Sequence, residues 1–136
     1  VSQDDVERLR KGYADFNSGD FAAVFELLDD EFVVRDRDEV PDPQVYQGIE
    51  GARRVFAVVG DGFEEYSIEP MEFADGDGWV VVAAVQRGRG ELSGAVVEGD
   101  IFHLWRLREG LATELRAFSA KEDALAAARD PGWPSS

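Results

Sequence analysis

Apolar residues recur at helical spacing from the start of the chain. Val6, Leu9, Tyr13 and Phe16 predict an amphipathic first helix with Ser2 as its N-cap and Asp5 close behind. Asn17, Ser18, Gly19 and Asp20 interrupt it, and Asp20 can cap a second, short helix carrying Phe21, Val24, Phe25, Leu27 and Leu28. Asp29 and Asp30 are expected to end that helix. Phe32, Val33 and Val34 then read as a short strand leading into Arg35 and Asp36, and the polar, proline-broken run from Arg37 to Gln47 reads as a loop. Ile49, Ala52, Val55, Phe56 and Val59 predict a third helix from Ile49 to about Val59, stopped by Gly60 to Gly62.

The pattern then changes to strands: Phe63 to Phe73, Trp79 to Arg87, Ser93 to Leu107 and Leu111 to Phe118. Short turns join them, which favours an antiparallel meander. A last helix is expected over Lys121 to Ala128, ahead of Asp130-Pro131-Gly132. Ser93 to Leu107 is the distinctive stretch. Its 15 residues would make a straight strand of roughly 50 Å, too long for a compact domain, so it must bend. Gly94 and Gly99 are the expected bends, because glycine within a strand often marks a bulge. His103 and Trp105 share one parity and look the same way; Phe102 and Leu104 look the other. With helices gathered first and strands after, the fold class is α+β in a single domain spanning residues 1–136.

Composition narrows the function. At 136 residues with 44% hydrophobic positions, the chain can bury a real core. The formal charge of −15, from 29 acidic against 14 basic residues, argues against nucleic acid and anionic membrane partners. No cysteine is present, which excludes disulfides and thiol chemistry, and one histidine makes a typical zinc site unexpected. No metal and no cofactor are anticipated. The longest uninterrupted apolar run, Trp79 to Val85, is seven residues and the N-terminus has no apolar signal core, so a soluble, cytoplasmic protein is the expectation.

Three features are candidates for chemistry. Asp36 shares parity with Phe32 and Val34, and a carboxylate facing an apolar cavity is suited to act as a general base; equally, it opens an acidic loop with Asp38, Glu39 and Asp42. His103 can donate to a ligand oxygen or exchange a proton, or serve as a hydrogen-bonded core residue. The run Arg87 to Gly94, RGRGELSG, looks like a phosphate loop but lacks both the spacing and a following helix, so it reads as a hairpin connection. Glu98 and Asp100 read as a solvated strand face rather than a metal site. Tyr13, Phe16, Val34, Phe56, Met71, Trp105 and Phe118 are core candidates that can also line an apolar ligand pocket.

Four local patterns carry a family resemblance: YADFNSGDFAAVFELLDDEFVVRD (Tyr13 to Asp36), YQGIEGARRVF (Tyr46 to Phe56), HLWRLREGLATELRAF (His103 to Phe118) and EDALAAA (Glu122 to Ala128). In order and content the chain resembles the SnoaL-like branch of the nuclear transport factor 2-like superfamily, which includes ketosteroid isomerases and polyketide cyclases. The resemblance implies a cone-shaped, curved, antiparallel-rich sheet wrapped around N-terminal helices, with an internal pocket. It places Asp36 where the isomerases carry their proton-abstracting aspartate and His103 near their oxyanion-stabilising acid. Gly12 falls at the position of the isomerase tyrosine, with Tyr13 one residue on.

The resemblance implies a small-molecule-binding domain acting as an isomerase, cyclase or lyase on a carbonyl-bearing, apolar, polyketide- or steroid-like ligand. Asp36 and His103 would be catalytic, and the domain a homodimer. Two alternatives stand beside it: a non-enzymatic ligand-binding or dimerisation module, and epoxide hydrolase-like water activation using Arg35 between two acids.

Overall fold

The apolar stripe of the first helix, α1 (Gln3–Ser18), is buried through Val6, Leu9 and Tyr13. The computed structural model describes residues 3–36, 44–90 and 93–130, without the side chains of 58–64. Ser2, most of the expected loop after Asp36, and Pro131-Gly132 lie outside the described residues. After α1 come α2 (Phe21–Phe25), β1 (Leu28–Arg35), β2 (Val45–Gln47), α3 (Gly48–Gly62), β3 (Phe63–Gly76), β4 (Trp79–Gly90), β5 (Val96–Arg108), β6 (Leu111–Phe118) and α4 (Lys121–Arg129). Asp20 caps α2 as expected, its Oδ1 accepting from the Ala23 N–H at 3.3 Å.

The strands form one six-stranded sheet in the order β2-β1-β6-β5-β4-β3. Strands β3 to β6 are the expected antiparallel meander, but β1 joins β6 in parallel, which makes the sheet mixed. N-terminal helices with this sheet make the fold α+β.

Two local expectations are corrected. Asp29 and Asp30 do not end the second helix; they lie within β1, where Asp29 Oδ1 accepts from the Glu31 N–H at 2.9 Å and the register against β6 shifts between Leu28 and Val33. Such a side-chain-to-backbone bond bends the strand without ending it, which a polarity pattern cannot distinguish from a terminus. Val45 to Gln47, read as loop, is an edge strand paired to Val33–Arg35.

The long strand also curves differently from expectation. Gly94 has φ +68° but sits before β5, in the connection where the Gly94 N–H bonds Gly90 O at 2.8 Å. Arg87 to Gly90, expected in the connection, instead belong to β4, where Arg87 to Arg89 pair with Val96 to Glu98 of β5; Glu91 and Leu92 lie outside the described residues. Gly99 lies in unbroken register with β4; the irregularities fall between Arg106 and Leu107 of β5 and at two places in β3. Bulges at these places bend the neighbouring strands instead.

The sheet separates two apolar layers. On its inner face, Val6, Leu9 and Tyr13 of α1 and Ala52 of α3 pack on Phe32, Val82 and Trp105 among others. On its outer face, Ala124 and Ala128 of α4 cover Val81 and Leu104, with Trp79, Phe102 and Phe118 at the margin. The YQGIEG pattern has a direct cause. Gly48 turns the chain into α3 at φ +72°, and a Cβ on Gly51 would stand 2.7 Å from the Tyr46 carbonyl carbon, so only glycine lets α3 start against β2.

Candidate functional site

Inside the inner layer, between α1 and the sheet, lies a cavity of about 70 Å³. Its walls are mainly apolar: Phe16 of α1, Phe56 of α3, Ile68 of β3 and Leu115 of β6 contribute, together with Tyr13, His103 and Trp105. One side is closed by an aromatic group in which Phe16 meets Phe21, Phe56 and Tyr66, and Phe25 stacks on Phe56 with ring centres 5.2 Å apart.

The polar part of the wall is a three-residue chain. His103 and Trp105 stand two residues apart on the inner face of β5, and Tyr13 of α1 reaches both. The Tyr13 hydroxyl lies 2.7 Å from His103 Nδ1 and accepts from Trp105 Nε1–H at 2.8 Å. The Tyr13 and His103 rings stack with an interplanar angle of 15°, while Trp105 meets Tyr13 edge-on at 84°. All three side chains are buried, with relative exposures of 6%, 6% and 8%. Burial pushes the Tyr13 phenol well above its ordinary range, partly opposed by the bond from Trp105, so Tyr13 is a neutral hydroxyl at physiological pH.

Asn17 positions this wall. Its side-chain amide donates to Ile68 O at 2.9 Å and its Oδ1 accepts from the Ile68 N–H at 2.8 Å, tying the end of α1 to the middle of β3. Because β3 is the last strand of the sheet, Asn17 takes the place of a neighbouring peptide at that edge.

Of the residues expected at the site, Tyr13, Phe16, Phe56, His103 and Trp105 come together around the cavity. Four others fall elsewhere. Val34 belongs to the inner core without lining the cavity. Met71 is 67% exposed: it is the residue left without a partner in the register between Pro70 and Glu72, so the bulge takes it out of the inward series. Phe118 pairs with Phe102 on the outer face, beside α4.

Asp36 sits just past β1, where its N–H donates to Gln44 O at 3.1 Å and its Oδ2 accepts from the Gln44 N–H at 3.0 Å; it is not among the described cavity residues. Arg35 is directed to the outer face, its Nε 3.3 Å from Glu114 Oε2, and so does not stand between inward acids. Leu9, Leu27, Ile68 and Leu115 were not anticipated as lining residues. Leu115 was legible, two residues before Ala117 on the face opposite Phe118; Ile68 was obscured by the bulges in β3.

A second, larger depression of about 1010 Å³ lies open on the molecule, lined by Asp29, Asp30, Glu31, Asp77, Arg106 and Arg108 among others. It is a charged groove rather than an enclosed apolar site. No cluster of three or more metal-ligating side chains forms among the described residues, and no described helix is long and apolar enough to cross a membrane.

Comparison with known proteins fits this architecture. No curated protein matches the sequence. Among solved structures, a nuclear transport factor 2-like protein from Burkholderia pseudomallei K96243 is 17% identical, with 92% of this chain and 97% of that one covered and a TM-score of 0.77. A putative SnoaL-like polyketide cyclase from Jannaschia sp. CCS1 is 22% identical, covering 93% and 92%, with a TM-score of 0.74. IdmH, a putative polyketide cyclase from Streptomyces antibioticus, is 21% identical, covering 92% and 97%, with a TM-score of 0.72. At these identities the likeness establishes the fold alone. The profile of the SnoaL-like domain matches residues 9–115, and this chain belongs to that family within the nuclear transport factor 2-like superfamily.

Proposed function

We propose that the protein binds a small, apolar, carbonyl- or enol-bearing molecule of polyketide- or steroid-like class, and acts on it as an isomerase, cyclase or lyase. In this reading His103 hydrogen-bonds the ligand oxygen and Asp36 takes or relays a proton. The observation that carries it is the Tyr13–His103 pair, a buried hydrogen-bonded unit on the wall of an otherwise apolar cavity. Apolar pockets with a few placed polar groups are the usual form of small-ligand sites, but these usually measure about 300–1,000 Å³, so this cavity of about 70 Å³ has to widen around a ring-sized ligand. Two of the related structures bear the description of putative polyketide cyclase, which agrees with this ligand class.

The test is a panel of aromatic ketones, quinones and conjugated enones, screened for binding by tryptophan fluorescence and for turnover by product analysis. His103→Ala should weaken binding of oxygen-bearing members more than of their hydrocarbon analogues. Asp36→Asn should keep binding and lower turnover by about 10²- to 10⁴-fold, the usual range for general acid–base catalysis. Unchanged turnover in Asp36→Asn would remove that residue from the mechanism.

Binding without turnover is the second reading. It is favoured by the position of Asp36, whose carboxylate closes a backbone pairing with Gln44 and lies outside the described cavity wall. Saturable binding without product, with Asp36→Asn affecting stability alone, would select it. A homodimer through the part of the outer sheet face that α4 leaves open completes the proposal; a monomer in sedimentation velocity would remove that part.

A further inference from the structure

Gly12 stands buried in the interior of α1, one turn before Phe16, and lines the cavity. Glycine is a poor helix former, and in a helix interior it calls for a packing reason. The reason here is Leu27. A Cβ on Gly12 would stand 2.5 Å from Leu27 Cδ1, and apart from the chain neighbours and the backbone of α1 no other described atom comes within 4 Å of that point. The space over this bare stretch of helix is thus held by a single methyl group.

That methyl belongs to a side chain able to leave. Leu27 is half-buried, between α2 and β1. Its N–H donates to Val24 O at 3.0 Å and its carbonyl accepts from the Ala112 N–H at 2.8 Å. The side chain can turn about its own bonds while the main chain stays bonded to β6. Other parts of the wall are tied in place: Tyr13 and Trp105 by their hydrogen bond, Phe16 and Phe56 by each other's rings and that of Phe21, and the Ile68 peptide by Asn17.

We propose that Gly12 and Leu27 together determine which ligands the cavity takes: a ligand ring lies directly on the α1 backbone at Gly12, in the space that Leu27 vacates. This deepens the proposed function and rests on its reading of the cavity as the ligand site. The cavity holds about 70 Å³, whereas an apolar cavity of about 150 Å³ takes benzene. A wall side chain therefore has to withdraw before any ring enters. Leu27 is that side chain, and glycine at position 12 lets the ring approach the helix backbone closely.

The experiment titrates the full chain with benzene by isothermal calorimetry, beside the ketone and quinone panel. Leu27→Ala should tighten benzene binding by about 10-fold or more, the scale of a methylene-sized change in an apolar pocket. In that complex, the benzene protons should show Overhauser contacts to the Gly12 α-protons. Adding Gly12→Ala should cancel the gain, although alanine is the better helix former, because its methyl fills the space over α1 whichever side chain stands at position 27. If Leu27→Ala does not fold, Leu27→Val carries the same expectations in the same direction.

A position-27 variant that binds benzene no better than the wild type overturns the proposal. So does bound benzene without contact to Gly12, or a gain that survives Gly12→Ala. The panel separates the two ideas. Benzene seated on Gly12 while no ketone or quinone binds leaves the size-setting role standing and sinks the proposed ligand class. Ketones or quinones that bind the wild type and all of these variants equally sink the size-setting role and leave the ligand class.

Discussion

Asn17 gives the sharpest test of how the cavity wall is held. Replacing it with alanine removes both bonds to the Ile68 peptide, at 2.8 and 2.9 Å. A neutral hydrogen bond contributes about 1 kcal/mol net, and a partly buried peptide left without its partner adds a further cost, so the loss is about 2–3 kcal/mol. Alanine's better helix propensity returns about 0.5 kcal/mol at the last turn of α1. The expected net destabilisation is therefore about 2 kcal/mol, measured by urea denaturation with an unchanged dependence on denaturant. Asn17→Asp refines the argument. It keeps the acceptor for the Ile68 N–H but faces the Ile68 carbonyl with a carboxylate, so the folded state favours the protonated acid. That raises the folded pKa above the unfolded value. Stability is then recovered below the ordinary carboxylate range and lost as the pH rises through the folded value. A loss under about 0.5 kcal/mol in Asn17→Ala would refute the claim that this amide closes the sheet edge.

Other expectations follow from the same geometry. Tyr13 holds its proton when folded more tightly than when unfolded; its contribution to stability is complete below about pH 10 and falls by up to about 1.4 kcal/mol per pH unit above it. Denaturation midpoints on the alkaline side should decline less steeply in Tyr13→Phe than in the wild type; equal slopes would contradict the raised phenol. Glu114, 1% exposed and paired with Arg35 across β1 and β6, should cost about 3 kcal/mol when changed to alanine, since Arg35 loses its counter-charge. A double-mutant cycle with Arg35→Ala that shows no coupling would count against it. Phe56→Ala should enlarge the cavity from about 70 Å³ and shift ligand preference to bulkier ring systems, at a stability cost of up to about 3 kcal/mol; an unchanged size preference in the binding panel would place the ligand elsewhere.

The parts of this molecule legible in the sequence are those where one residue type answers one physical demand. Asp20 at the α2 cap and the inward parity of His103 and Trp105 belong to that class. The parallel β1–β6 pairing did not, because register between distant strands leaves no local trace in either one. Met71 was misplaced and Ile68 passed over for a single reason: bulges in β3 break the two-residue alternation, so counting parity across them fails. Phe118 was separable from the pocket through its pairing with Phe102 once register was known. The hydrogen-bond chain was half visible, since Tyr13, His103 and Trp105 were each picked out, but their convergence depends on where α1 crosses the sheet. Asp36 shows the limit of reading by position, because its backbone pairing with Gln44 is as evident in the structure as its inward parity is in the sequence.

The most direct measurement is a crystal structure of the protein with a ketone or quinone found to bind it. The ligand rings should lie between Phe16, Phe56 and Leu115, with the ligand oxygen within about 2.7–3.2 Å of the His103 ring nitrogen that does not face Tyr13. A ligand seated in the open groove lined by Asp29, Asp77 and Arg108, or one in the cavity with its oxygen turned away from His103, would contradict it.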